Sequence, residues 1–168
     1  MVFNLNLYIT GTPGTGKSSL SKALKGKYTY LDVYEIKEFL IKFDLLEEYE
    51  PDRDTTIFDD LKAKNQIQSF LETKNDFVLV GPALNFDKIP FSYIIVLTCS
   101  KKGILENRLK ERNYKKSKIE ENLEAELLGE ILGEVLDMFD AKFPIITLDS
   151  CKYSIQELIT KLEEKIIF

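Results

Sequence analysis

The sequence predicts an α/β fold in which a parallel five-stranded sheet is covered by helices on both faces. The first observation behind this prediction is that short apolar runs, several rich in β-branched and aromatic residues, alternate with segments whose apolar residues recur at helical spacing. The second is a glycine-rich turn that joins the first apolar run to the first helical segment. Parallel strands need such helical crossovers, and because these crossovers are right-handed, helices cover both sides of the sheet.

Five short apolar runs are the predicted strands. In chain order they are Leu5–Thr10, Tyr28–Leu31, Phe77–Val80, Tyr93–Leu97 and Ile145–Leu148. In folds of this class ligands bind beyond the carboxyl ends of the strands. The glycine-rich turn lies at such an end, which makes it the first place to look for a functional site.

Apolar residues at helical spacing predict the helices between these strands. The first helix runs from the glycine-rich turn to about Leu24, and Ser154 with Glu157 forms a capping box that opens the last one. Asp44–Asp60 is an acidic segment in which Pro51 is a breaker. The apolar faces of the other helices are Val33, Ile36, Leu40 and Phe43; Ile57, Leu61, Ile67, Phe70 and Leu71; Ile104, Leu105 and Leu109 within Lys101–Arg112; and Ile119, Leu123, Leu127, Ile131 and Val135 within Lys118–Phe139.

Composition excludes several classes of function. The 168 residues suit about one domain, residues 1–168, and the net charge of −5 argues against strong direct binding to nucleic acid. The chain has no histidine, which excludes Ser-His-Asp and Cys-His catalysis and most zinc sites. Because we find neither a membrane span nor a secretion signal, we expect a cytoplasmic protein without membrane partners. In that compartment Cys99 and Cys151 are expected to be free thiols.

A phosphate-binding motif follows the first strand. Residues Gly11–Ser18 fit G-x-x-x-x-G-K-[ST], the P-loop or Walker A pattern, and the motif ends a buried strand and opens a helix as that pattern requires. The glycines let backbone N–H groups face an anion, and the helix N-terminus adds partial positive charge. Lys17 would reach the β- and γ-phosphates, and Ser18 would ligate Mg²⁺. We expect ATP rather than GTP, because we find no N-K-x-D-like segment to read guanine.

Arginine is rare in this chain, with three among 23 basic side chains. Arg108 and Arg112 are one helical turn apart, so both can face one site just beyond the fourth predicted strand. A planar, bidentate guanidinium suits the charge on a transferring phosphoryl group. The alternative is that they are surface partners of acidic residues such as Glu111. Lysines between residues 101 and 118 could form a lid over phosphates, an RNA-facing surface or simply a solvated face.

Four segments, in order along nearly the whole chain, resemble one family of proteins. They are Gly11–Ser19, Tyr49–Asp54, Arg108–Tyr114 and Ser117–Glu126. The chain resembles the adenylate kinase isoenzyme 6 family, small adenylate kinases that are also described as coilin-interacting nuclear ATPases and that have archaeal counterparts. Many P-loop proteins share the first segment, whereas the last two segments, with their spacing, are specific to this group.

This resemblance implies a P-loop NTPase three-layer sandwich with strand order 2-3-1-4-5, organised as a single kinase domain. It implies a monophosphate-binding region over about Asp32–Thr56 and a short lid over about Glu111–Glu121. The implied reaction is ATP plus AMP giving two ADP, with Mg²⁺ and sometimes a weak ATPase. Eukaryotic members act in small-subunit ribosome biogenesis through a uS11-type ribosomal protein, which would add the nucleus to the cytoplasm as a location.

The resemblance also assigns roles to individual residues. The catalytic residues would be Lys17, Arg108 and Arg112, and the metal ligand Ser18. The AMP side would use Glu35 and Arg53. The ATP-binding residues would be Gly14, Thr15, Gly16, Lys17, Ser18, Ser19, Arg112 and, near the adenine, Lys152.

Two departures from the family pattern bear on mechanism. After its third strand the family has a Walker B region of the type Asp-x-His or Glu-Gly-His, whereas this chain has Val80–Ala83, without carboxylate or imidazole. Asp32 or Asp87 is a candidate replacement for the missing carboxylate. The second departure is Thr98, at the end of the fourth strand, where the family often has arginine.

Three hypotheses follow from these residues. A monophosphate kinase fits best, because an AMP phosphate is already anionic and needs no general base. The second hypothesis is an ATP-controlled binding module that chaperones a ribosomal protein and has weak kinase activity. The third is a small-molecule kinase with a hydroxyl acceptor, for which Asp32 or Glu35 would be the base.

Overall fold

The computed structural model describes residues 4–51, 55–139 and 143–168. Its strands are β1 (Asn6–Gly11), β2 (Asp32–Glu35), β3 (Leu46–Glu50), β4 (Thr55–Phe58), β5 (Phe77–Val80), β6 (Tyr93–Thr98) and β7 (Ile145–Asp149). Its helices are α1 (Lys17–Lys27), α2 (Ile36–Lys42), α3 (Asp60–Leu71), α4 (Lys102–Glu111), α5 (Lys116–Leu128), α6 (Glu130–Met138) and α7 (Ile155–Glu163). Within these ranges, no helix is long and apolar enough to cross a lipid bilayer.

The main sheet confirms the predicted topology. Five strands pair in parallel in the order β2-β5-β1-β6-β7, which is 2-3-1-4-5 when these five are counted along the chain. Because all five strands are parallel, their carboxyl ends meet at one edge of the sheet. Gly11 at the end of β1 pairs with Leu97 of β6, so the glycine-rich turn leaves from the middle of that edge.

The core lies on both faces of this sheet, because successive side chains of a strand point to opposite sides. Leu7 and Ile9 belong to the apolar cluster that also includes residues of α1 and α7. Tyr8 belongs to the cluster on the other face, with residues of α2, α3 and α6. β1 is buried along its whole length, as expected for a central parallel strand, and it holds the turn that follows it in a fixed position.

The second strand and the segment after it differ from the prediction. Tyr28–Leu31 is not a strand; Tyr28 stacks on Phe168 with ring centroids 4.2 Å apart, and pairing with β5 begins at Asp32. Val33 therefore belongs to β2, and the helix begins only at Ile36. The acidic segment Asp44–Asp60 contains the antiparallel hairpin β3–β4, which takes Ile57 out of the predicted helix. The residues of β3 are mostly exposed, so no apolar run marked it.

The long helix predicted over Lys118–Phe139 is two helices. Gly129 has a φ of 67°, in the left-handed region that glycine adopts most easily, and it ends α5 and starts α6. Ile119 and Val135 are buried as predicted, but Leu127, near the end of α5, is 84% exposed. Ile104 of α4 is also exposed rather than inward, whereas Leu105 and Leu109 of the same helix are fully buried.

Cys99 and Cys151 form a disulfide, so the expectation of two free thiols was wrong. Cys99 directly follows β6 and Cys151 lies two residues beyond β7, and the ends of these neighbouring strands are paired, Thr98 with Asp149. This pairing brings the Cα atoms of the two cysteines to 4.9 Å, although they are 52 residues apart in sequence. That distance lies in the range a disulfide requires, and only the pairing of β6 with β7 provides it.

Candidate nucleotide-binding site

The glycine-rich turn has the geometry of a phosphate cradle. A side chain at Gly11 would place its Cβ 2.2 Å from the carbonyl oxygen of Leu97, so the turn can pass this close to β6 only with glycine. Gly14 has a φ of 88° and lies against Leu105 of α4. Gly16, without a side chain, is the N-cap of α1, so the first-turn N–H groups of that helix are left for an anion. The turn therefore combines a tight backbone with the positive end of a helix.

Lys17, the first residue of α1, is folded back over the turn. Its Nζ donates to the carbonyl oxygens of Gly11, at 2.5 Å, and Thr12, at 3.2 Å. The pKa of Lys17 is lowered to about 8, mainly by burial and next by the positive charge of Arg112, whereas the negative charges of Glu126 and Glu35 act in the opposite direction. A bound polyphosphate would favour the protonated lysine in the same way, because an opposite charge favours the charged form.

A cavity of about 460 Å³ opens beside this turn. It is bounded by the P-loop, by α4 and by the loop that leads from β7 into α7. Its lining residues are Gly14, Thr15, Gly16, Ser19, Arg108, Glu111, Arg112, Ser150, Tyr153, Ser154 and Ile155. The structure thus brings most of the predicted ATP-side residues together with both predicted arginines of α4.

Arg108 and Arg112 line the same cavity in different ways. Arg108 is half-buried and its guanidinium donates to the Gly14 carbonyl at 3.2 Å, and to the Ser150 hydroxyl and carbonyl oxygens at 3.3 and 3.2 Å. Arg112 is the C-cap residue that follows α4, and it is exposed. Arg108 therefore braces the walls of the cavity, while Arg112 is the guanidinium that a ligand can reach from solvent.

Lys152 follows β7 as predicted, but its side chain lines a different cavity, of about 500 Å³, with Lys161 and Lys165. Its Nζ lies 5.7 Å from the ring centroid of Tyr153. Tyr153 lines both this cavity and the one beside the P-loop. In this structure it is therefore Tyr153, not Lys152, that faces the P-loop cavity from this loop.

The predicted acceptor side is less complete. Glu35 is the last residue of β2, pairs with Val80, and is close enough to Lys17 to affect its pKa. Arg53, the other residue predicted for AMP, lies outside the described residues. Ser18, the predicted metal ligand, is half-buried near the start of α1.

Neither aspartate suggested as a replacement carboxylate fits that role. Asp32 begins β2, so it lies at the opposite edge of the sheet from the P-loop, where its Oδ1 is 3.5 Å from the Nζ of Lys25. This position also rules it out as the base of a hydroxyl kinase. Asp87 forms an ion pair of 2.9 Å with Lys64 of α3, and this lysine holds the pKa of Asp87 below its usual value.

The end of β5, where the family has its acidic residue, is closed by packing. A Cβ at Gly81 would lie 2.7 to 2.9 Å from three side-chain atoms of Ile36. Next to it, the Tyr8 hydroxyl donates to the Pro82 carbonyl and accepts from the Leu84 N–H. Gly81, the first residue after β5, is therefore packed so closely against Ile36 that a larger residue there would displace that side chain.

Several residues in or near the site were not predicted, among them Ser150, Tyr153 and Glu126. Ser150 and Tyr153 line the P-loop cavity, and Glu126 of α5 accepts from the Cys99 N–H at 2.5 Å. Glu126 ends the last of the four segments that resemble the family, and this was the one signal that could have pointed to it. Ser150 and Tyr153 lie beyond the carboxyl end of the last strand, where ligands of this fold class bind. A serine and a tyrosine are too common in proteins to indicate a function by themselves.

Comparison with known proteins confirms the family resemblance. A family model described as an AAA domain matches residues 7–129, most of the chain. A protein of Methanocaldococcus jannaschii, provisionally named an adenylate kinase, is 32% identical over 165 residues, which cover 96% of this chain and 86% of that protein. The adenylate kinase isoenzyme 6 homolog FAP7 of Saccharomyces cerevisiae is 36% identical over 118 residues, 70% of this chain and 59% of the yeast protein.

A solved structure supports the fold. The crystal structure of a sugar kinase from Janibacter superimposes with a TM-score of 0.63 and covers 96% of this chain and 94% of the sugar kinase. The two sequences are 13% identical, so the likeness concerns the fold and not the substrate.

Proposed function

Because the chain belongs to the AAA-domain family and to the adenylate kinase isoenzyme 6 family with its archaeal relatives, we propose that it is a nucleoside monophosphate kinase. In this proposal it converts ATP and AMP reversibly into two ADP. Residues 1–168 act as a single P-loop kinase domain in this proposal. The observation that carries it is the single cavity in which the P-loop meets Arg108 and Arg112. Phosphoryl transfer requires that phosphates be held in position and that their charge be neutralised, and a phosphate-binding loop beside two guanidinium groups can do both.

The chain's own residues divide the work of transfer. The P-loop N–H groups and Lys17 hold the β- and γ-phosphates, and Arg112 neutralises charge on the group that moves. Arg108 keeps the Gly14 turn and the Ser150 loop in place around the nucleotide. Glu35 at the end of β2 and Arg53 would bind AMP, as the family resemblance implies.

The lack of a carboxylate at the end of β5 favours a phosphate acceptor. Water or a sugar hydroxyl must lose a proton during attack, which calls for a positioned base. The AMP phosphate is already an anion, so positioning and charge neutralisation supply most of the catalysis. Two residues were considered as the base of a hydroxyl kinase. Asp32 lies at the edge of the sheet opposite the P-loop, so only Glu35 is near Lys17.

A magnesium ion fits this site if it arrives with the nucleotide. The described residues contain no cluster of three or more acidic, cysteine or histidine side chains that could hold a resident ion. Mg²⁺ is usually bound by few protein groups plus phosphates and waters, and the Ser18 hydroxyl is a suitable oxygen ligand. Bound there, the ion would offset charge on the β- and γ-phosphates.

The test is AMP-dependent formation of ADP from ATP in the presence of magnesium. We expect turnover with AMP and little ADP with ATP alone, and no AMP-dependent signal at millimolar AMP rejects the proposal. Lys17→Ala should reduce kcat by roughly 10²–10³-fold, as loss of a charge-stabilising donor does. Lys22→Ala is the matched control, because Lys22 lies on the same helix but is exposed to solvent. Screening hydroxyl acceptors in the same assay tests the third hypothesis.

A second candidate function is an ATP-controlled binding module for a ribosomal protein of the uS11 type, active in small-subunit ribosome assembly. The packed end of β5 favours it, because the chain lacks the carboxylate that supports hydrolysis in the family. Pull-down of the ribosomal protein with and without ATP tests this function. A nucleotide-dependent complex together with negligible AMP turnover would favour it over the kinase.

A further inference from the structure

Glu126 lies where the lid segment, the end of β6 and the P-loop meet. It belongs to α5, which begins at Lys116, inside the predicted lid over about Glu111–Glu121. Its Oε1 accepts from the Cys99 N–H at 2.5 Å, one residue beyond the end of β6. This contact ties the helix of the lid segment to the edge of the sheet.

The end of β6 is in turn pressed against the first residue of the P-loop. The Leu97 carbonyl oxygen occupies the place where a side chain of Gly11 would be, and the two residues are paired in the sheet. The Gly11 carbonyl accepts from the Nζ of Lys17. A shift of the β6 end would therefore move the peptide that holds the lysine of the cradle.

Resting on the proposed kinase function, we propose that Glu126 is a positioning residue that couples α5 to the P-loop through the Cys99 N–H and the end of β6. It touches no substrate in this role. It sets where Gly11 and Lys17 lie when the lid segment is in place. A misplacement of about 1 Å in a phosphoryl-transfer site costs up to about 10²-fold in rate, so a small shift would be measurable.

The surroundings of Glu126 agree with this role. The cavity of about 590 Å³ between the end of β6, α4 and α5 is lined by Glu126 together with Cys99, Leu105 and Leu123. The contact is therefore not enclosed in a rigid core and depends on the carboxylate itself. Glu124 lines the same cavity from the same helix and is exposed, which makes it a matched control.

The test compares Glu126→Ala, Glu126→Gln and Glu124→Ala. Loss of the acceptor in Glu126→Ala should lower kcat for ADP formation at least about tenfold, whereas the amide oxygen of Glu126→Gln still accepts from Cys99 and should keep kcat within about threefold. Glu124→Ala should match the unmodified chain. A merely structural role would lower the midpoint of urea unfolding without this split between alanine and glutamine.

Hydrogen exchange gives a readout that does not depend on turnover. We expect faster exchange at the Cys99 amide and at the amides of Gly11–Ser18 in Glu126→Ala, and unchanged exchange in Glu126→Gln. The proposal is overturned if Glu126→Ala leaves both kcat and P-loop exchange unchanged. If the unmodified chain shows no AMP turnover, the kinase proposal fails. Hydrogen exchange, together with calorimetric titration of ADP, then still decides the role of Glu126.

Discussion

The guanidinium of Arg108 donates to the carbonyl of Gly14, joining α4 to the P-loop over 3.2 Å. The same side chain reaches the hydroxyl and carbonyl oxygens of Ser150, beyond the end of β7. One arginine thus connects two walls of the nucleotide cavity. This arrangement explains why two arginines one turn apart on one helix have different tasks.

Arg108→Ala and Arg112→Ala are expected to differ in stability as well as activity. Removing Arg108 leaves the Gly14 and Ser150 acceptors without their charged donor, so the free energy of unfolding should fall by about 1–3 kcal/mol and ADP affinity with it. Removing the exposed Arg112 should leave stability within about 0.5 kcal/mol and lower kcat. Urea unfolding and steady-state kinetics measure both. Equal stability of the two variants would contradict the bracing role of Arg108.

Gly81→Asp is expected not to restore the missing strand-end acid. Its Cβ would meet Ile36 at 2.7 to 2.9 Å, so the variant should lose about 1–3 kcal/mol of stability and gain no ATPase activity. Gly103→Ala in α4 is the control, because its Cβ would meet no atom within 4 Å and alanine favours helix. Chemical unfolding with an ATPase assay checks both. A stable Gly81→Asp variant with raised ATPase activity would show that the end of β5 is open.

Reduction of the Cys99–Cys151 disulfide is expected to destabilise the chain. The bond closes a loop between residues 52 apart, and the chain-entropy estimate for a loop of that length is about 4 kcal/mol. The urea midpoint should fall with dithiothreitol in the unmodified chain and stay constant in the Cys99→Ala/Cys151→Ala variant. If dithiothreitol left the urea midpoint of the unmodified chain unchanged, the result would contradict the presence of the disulfide.

Gly129→Ala should lower the stability of the chain, although the added Cβ would meet no atom within 4 Å. A φ of 67° is unfavourable for alanine, so we expect a loss of about 1–2 kcal/mol in the free energy of unfolding. Gly133→Ala, in the interior of α6, should instead be neutral or stabilising. Thermal unfolding of the pair measures the difference. Equal midpoints would mean that α5 and α6 can join into one helix.

The elements predicted correctly are those with local signals. β5 is apolar throughout, and β1 and β6 are mainly apolar and buried, as is usual for central parallel strands. Ser154 caps α7 through the Glu157 N–H, as its spacing indicates. The P-loop is a contiguous motif whose chemistry is local. The exposed hairpin β3–β4 has no apolar run and was missed, whereas Tyr28–Leu31 is apolar but unpaired in the sheet and was wrongly predicted to be a strand.

The amino-acid order alone established the fold class, the phosphate cradle at Gly11–Ser18 and the spacing that places Arg108 and Arg112 one helical turn apart. Each of these depends on residues that are neighbours in sequence or on a repeating pattern. Tertiary structure alone decided that Cys99 meets Cys151, that Ile36 closes the end of β5 and that Glu126 reaches the Cys99 N–H. These contacts join residues that are far apart in the chain, and only the order and register of the parallel strands bring them within bonding distance.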